Sequence, residues 1–268
     1  MDLADVHREL VRELRYGMRV VGTCPVAQIG DEHDEFAEQL QALGICHLLE
    51  LADVPTFRLN LLRSGQSRRY YLQRSQAENN TTARHLALSR TQSFLDAVAG
   101  GALDLARDIA RLSTADWHAD WEYEDDYCYH SWLHRVVIDP TWTTGAESAA
   151  LLDRFDASLE GGPSARYKVC RALLERDADA VSDGLDAFIE EEEARIALER
   201  GSGRVTEGGL THWARRHVSV EALALLKIAD LLDVPAPAEL PLCPALARLP
   251  FADDTTTDVF AELHEIGT

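Results

Sequence analysis

Two histidines and four acids crowd the stretch WEYEDDYCYHSWLH, Trp121–His134. Imidazoles and carboxylates are the groups that bind metal ions or move protons. His130 and His134 are four residues apart, so on a helix both rings share one face, roughly 40° apart. Asp126 stands one turn further back. The zinc-protease pattern requires Glu directly after the first His, and Ser131 occupies that place. No further ligand is identifiable elsewhere, so no metal and no cofactor is assigned. A metal-dependent hydrolase built on Asp126, His130 and His134 stays as a weaker alternative. The dipeptide His33–Asp34 has the form used by HD-type phosphohydrolases, which also need a distant upstream His. Here only His7 precedes it, and the run GDEHDE reads better as a solvated helix start. No nucleophile elbow, papain-like cysteine segment or phosphate-binding loop occurs. The chain is read as not an enzyme, with no catalytic residue.

The helix that must carry the opening stretch can be laid out at 100° steps. Taken as regular from Trp121, it places Trp121, Cys128, Tyr129, Trp132 and Val136 in one apolar sector. Asp125 falls within that sector. A lone buried carboxylate is costly, so Asp125 is expected to be a structural buried acid, paired with Arg107 or Arg111 or capping backbone N–H groups. Tyr123, Tyr127, His130 and His134 gather on the opposite side, with Glu122 and Asp126 between. That side is either exposed or covered by a neighbouring helix. If exposed, it is a good protein-binding surface, since tyrosine is a frequent interface anchor. The candidate partner-binding residues are therefore Glu122, Tyr123, Asp126, Tyr127 and His130. The acidic block Glu190, Glu191, Glu192 and Glu193 is a second candidate.

The elements around these residues read as helices almost throughout. Leu3, Val6, Leu10, Val11, Leu14, Met18 and Val21 step by three and four. A second helical run covers DEHDEFAEQLQALGICHLLELA, and DVPTF interrupts it. A third covers RLNLLRSGQSRRYYLQRSQ, with Ser64–Gly65 as a potential break. A strong helix is expected from about Ala83 to Ala99. Apolar helix pairs with short breaks follow, at Gly100–Gly101 and again near Arg176–Asp177, which favours helical hairpins packed side by side. A nearly all-apolar helix begins at about Val218, then a proline-rich tail. SLEGGPSARY and ERGSGRVTEGGL are the clearest loops, and ADDTTTDVFAELHEI is expected to close the chain as a short helix. The expected fold is all-α, an irregular solenoid-like or bundle domain of roughly ten to thirteen helices. It forms one domain over 1–268, which if divided separates N-terminal helices 1–80 from a repeat-like part 81–268.

The formal net charge is −20, from 46 acidic and 26 basic residues. Such a field repels nucleic acid and anionic membranes and attracts basic partners. The five cysteines, widely spaced and without a CxxC pair, read as free and mostly buried thiols in a reducing cytoplasm. No apolar leader opens the chain and no apolar run reaches membrane-spanning length. The expected location is cytoplasmic.

Three stretches resemble the immunity protein 49 family, all-helical proteins found beside polymorphic toxins. They are LDLARDIARLSTADWHADWEYEDDYCYHSWLH, YKVCRALLERDADAVSDGLDAFIEEEE and VSVEALALLKIADLLDVPAPAELPLCPALAR, together spanning roughly Ala83 to Phe251. The resemblance implies a non-enzymatic protein that binds and neutralises a cognate toxin domain. The acidity points to a basic toxin, a nuclease among the candidates. A helical-repeat scaffold or regulatory module without a toxin partner is the runner-up.

Overall fold

Helix boundaries fall where local backbone chemistry sets them. The computed structural model describes residues 3–81, 83–90, 92–201, 209–249 and 260. Among these are eleven α-helices and no strand. The first three are α1 (Leu3–Thr23), α2 (Gly30–Leu51) and α3 (Val54–Ala77). Ala52 ends α2 in the left-handed region, at φ 51°. Asp53 then caps α3 by accepting from the Thr56 N–H at 3.0 Å, with Pro55 in the first turn. Next come α4 (Gln92–Ala99) and α5 (Leu103–Leu112), divided by Gly101 at φ 85°. They are followed by α6 (Glu124–Ile138), α7 (Ala146–Ser158), α8 (Ala165–Glu175) and α9 (Ala178–Gly201). Arg176, at φ 56°, makes the break between α8 and α9. The last two are α10 (Gly209–Arg215) and α11 (Val220–Leu231), the latter capped by Ser219.

Two expected boundaries are corrected. α3 runs unbroken through Ser64–Gly65. A Cβ at Gly65 would stand 2.9 Å from Leu105 and 3.0 Å from Ala97, so the glycine allows close approach of α4 and α5. The helix expected from Ala83 starts only at Gln92; a short 3-10 turn, Arg84–Leu86, and irregular chain precede it. Distant side chains satisfy that backbone: Arg68 donates to His85 O at 2.7 Å, and Glu122 accepts from Ser89 N–H at 2.7 Å. Of the two expected loops, Ala165–Tyr167 already belong to α8. Residues 202–208 lie outside the described residues. So does the expected closing helix apart from Phe260, whose ring packs on Phe36 and Tyr70.

Sequence neighbours pack together from α1 through α9, as side-by-side hairpins require. The C-terminal helices then return: α10 lies on α2 and α11 on α4. α6 packs chiefly between α5 and α7, with α8 and α11 touching it. The main core draws residues from Val6 to Ala247, and a smaller cluster gathers Val21, Ile29, Phe36, Tyr71 and Phe260. Among the described residues no helix is long and apolar enough to cross a membrane. All five cysteines are free, and all but Cys24 are buried. Burial pushes the Cys46 and Cys243 thiols up to about 12 and Cys128 to about 11, and it raises Cys170 as well.

Candidate functional site

The acid–aromatic stretch is two structures. Trp121 and Glu122 lie in a turn closed on His118 O, Tyr123 is extended, and α6 begins at Glu124. Every residue from Tyr127 to His134 is buried. Of the exposed and covered alternatives the covered one holds, so Tyr127 and His130 are corrected as surface candidates: α4 and the chain between α5 and α6 close over that side. The Tyr127 hydroxyl donates to Ala115 O at 2.7 Å, and the His134 ring sits 4.0 Å from Phe94 of α4. Burial, then Arg166, holds His130 well below the ordinary histidine range. Burial, then His130 and Arg68, does the same to His134. Both are neutral core groups at pH 7. Among the described residues no group of three His, Cys, Asp or Glu could hold a metal ion.

Glu122 is also buried, against expectation. Its Oε2 accepts from Ser89 N–H, and its backbone O accepts from Trp117 Nε1 at 3.2 Å. It thus clasps the chain before α4 to the turn before α6, while its Oε1 has no hydrogen-bond partner among the described residues. Asp125 differs from its expected role in the other direction. It is only half-buried and makes no ion pair among the described residues. Because α6 starts at Glu124, Asp125 lies in the first helical turn, where a carboxylate is favoured by the free N–H groups. Arg107 instead bonds Asp104 and Val137 O, and Arg111 bonds Asp108.

Asp126 belongs to a network centred on Arg166 of α8. Arg166 donates to Glu221 through Nε at 2.8 Å and Nη2 at 2.9 Å, and to Asp126 through Nη1 at 3.1 Å. Its guanidinium lies 4.8 Å from the centre of the Tyr129 ring, whose hydroxyl donates to Glu221 at 2.9 Å. Burial pushes the Asp126 carboxyl up, against the pull of Arg166, with Asp125 and Glu221 adding to the rise. The sequence left Arg166 unassigned, since its partners stand 40 and 55 residues away. It missed a second buried acid too. Asp96 of α4 is fully buried and accepts from Gln41 and Ser64 at 2.5 Å and from Gln92 at 3.2 Å. Burial raises its carboxyl to about 6. His33, read as part of a solvated start, is buried and stacks on Tyr71 at 4.6 Å. Burial raises the carboxyl of its neighbour Asp34, but the hydrogen bond and charge of His33, then Arg68 and the His85 contact at 2.8 Å, carry it down to about 2.

What remains at the surface is a cleft of about 510 Å³ between Ser89–Arg90 and the turn into α6. Asp120, Glu122 and Asp126 line it with Trp121, and Tyr123 stands at its rim, 80% exposed. Among the described residues Arg90 is the single basic one lining it. Its guanidinium also lies 4.0 Å from Asp34. Of the predicted residues, the cleft unites Glu122, Tyr123 and Asp126 and excludes Tyr127 and His130. The α9 block is partly committed to structure. Glu191 accepts from Ala165 N–H at the start of α8, and Glu192 pairs with Arg195 at 3.2 Å. Glu190 and Glu193 are exposed.

Such a molecule is a helical protein that displays an acidic, aromatic-rimmed concavity. The chain belongs to the immunity protein 49 family, whose model matches residues 37–246. No curated protein and no solved structure matches it.

Proposed function

We propose that the chain neutralises a cognate toxin domain by stoichiometric binding, without catalysis, in the cytoplasm of the cell that the toxin threatens. Membership of an immunity-protein family carries this reading. The cleft supplies the kind of surface it needs. Tyr123 offers a large, rigid contact at its rim, and Asp120, Glu122 and Asp126 favour a positively charged partner. A toxin with a basic substrate-binding surface, such as a nuclease, fits that charge. Glu190 and Glu193 add exposed acidic groups on α9.

The test is co-purification with the toxin domain encoded beside this chain's gene, followed by growth rescue. Wild-type protein is expected to rescue, and Tyr123→Ala with Asp126→Asn to rescue poorly at equal abundance. Full rescue by that double variant rules the cleft out as the contact surface.

A further inference from the structure

A second acid-lined groove, of about 320 Å³, lies between α1 and α2 and shares no residue with the cleft. Phe36 forms its floor and Tyr16, 68% exposed, its wall. Gly17 lets the two helices meet there, since a Cβ at that position would stand 2.6 Å from the Phe36 ring. Glu13, Glu32 and Glu35 line the groove, and Arg12, the one basic residue among the described lining residues, is paired with Glu9.

Gln39 also lines the groove and is 95% buried by its 5% exposure. Its Nε2 donates both protons, to Glu13 at 3.3 Å and to Glu35 at 3.2 Å. That leaves Gln39 Oε1 buried without a partner among the described residues. Apart from the Tyr16 hydroxyl and the outward nitrogens of Arg12, the groups left to bind among the described lining residues are acceptors. Burial, then Glu9 and Glu35, raises the Glu13 carboxyl, against Arg12. Like charges are thus gathered where they repel, with an aromatic face beside them.

We propose that this groove receives an arginine side chain of the toxin, as a second anchoring point beside the Tyr123 cleft. The source of the arginine rests on the neutralisation reading; the chemistry of the groove does not. A planar guanidinium supplies up to five donors to carboxylates and an amide oxygen while lying on a tyrosine face. The carboxylates concerned precede the residues that the family model matches.

The test uses the full chain, ¹⁵N-labelled and titrated with Nα-acetyl-arginine amide, with the neutral isostere Nα-acetyl-citrulline amide in parallel. Saturable shifts are expected at the Gly17 amide and the Gln39 side-chain amide, with none from citrulline. Glu13→Gln/Glu35→Gln keeps the Gln39 bonds within reach and removes like charge, so it should melt no lower than wild type and bind at least tenfold more weakly. Tyr16→Ala, at an exposed position, should also weaken binding. Equal response to citrulline, shifts spread evenly over all acidic surfaces, or unchanged binding by both variants overturns the groove. In the growth assay, equal protection by wild type and Glu13→Gln/Glu35→Gln overturns its use against the toxin. Failure of wild type to protect instead overturns the neutralisation reading, and the toxin as the arginine's source with it.

Discussion

Arg166 ties α8 to α6 and α11, and its loss strands two carboxylates. Breaking a fully buried ion pair costs about 3–5 kcal/mol. Arg166 keeps 35% of its side-chain surface exposed, so solvent screening discounts that cost to about 2 kcal/mol. Arg166→Met should lower the melting temperature by roughly 5 °C, and adding Glu221→Gln should restore part of it; calorimetry of both variants reads the difference. Asp96 makes a pH-dependent contribution of opposite sense to the usual carboxylate. Its folded pKa of about 6 exceeds the ordinary 3.8, so the folded chain holds this proton more tightly than the unfolded one. The stabilisation is full below about pH 4 and lost as pH rises through about 6, by up to about 3 kcal/mol. Wild type should therefore lose ground to Asp96→Asn between pH 4 and pH 7 in urea titrations, while Asp34, common to both, cancels. Tyr123 and Tyr127 should part company as well. Tyr123→Ala, at an exposed rim, should leave stability unchanged, whereas Tyr127→Ala should cost about 3 kcal/mol from its buried site.

At the scale of elements, the sequence shows best what a few adjacent residues decide. Asp53 with Pro55, the Gly100–Gly101 pair and the Arg176–Asp177 break all mark true helix ends, because caps and left-handed backbone are local. The all-helical fold was legible for the same reason. α6 was not legible as to burial. Its helical wheel separates a Trp/Cys/Val stripe from a Tyr/His side, but its own periodicity says nothing of α4, or of the chain between α5 and α6, closing over the second side. The cleft was half legible. Acids and a tyrosine were expected together, but the wheel began one turn too early and counted Glu122 as part of the helix. Close helix contact sets a further constraint. A Cβ at Gly44 would stand 2.9 Å from the backbone O of Phe57, an atom that cannot swing aside. Gly44→Ala should destabilise the α2–α3 pair by about 1–3 kcal/mol, against the gain that alanine usually brings to a helix interior, and chemical denaturation would show which sign wins.

For the molecule as a whole, the net charge of −20 acts over distances longer than any contact. It speeds encounter with a basic partner more than it prolongs the complex. Raising ionic strength from about 0.05 to 0.5 M shortens the Debye length from roughly 14 to 4 Å. The association rate with a basic toxin should then fall by at least tenfold while dissociation changes little, as stopped-flow and surface-capture kinetics would report. An association rate indifferent to salt would leave the acidic surface without a steering role. The return of α10 and α11 onto α2 and α4 bears on how such a surface is held, since residues far apart in the chain share one core.

The four buried thiols give that shared core a set of internal clocks. Cys46, Cys128, Cys170 and Cys243 sit in α2, α6, α8 and the segment after α11, and only a chain that has opened presents them to an alkylating reagent. Their labelling rates, followed residue by residue by mass spectrometry, would coincide if the helices part in one event and diverge if the ends open before the middle. Cys24, half-buried near the end of α1, offers the faster reference against which the other four are timed.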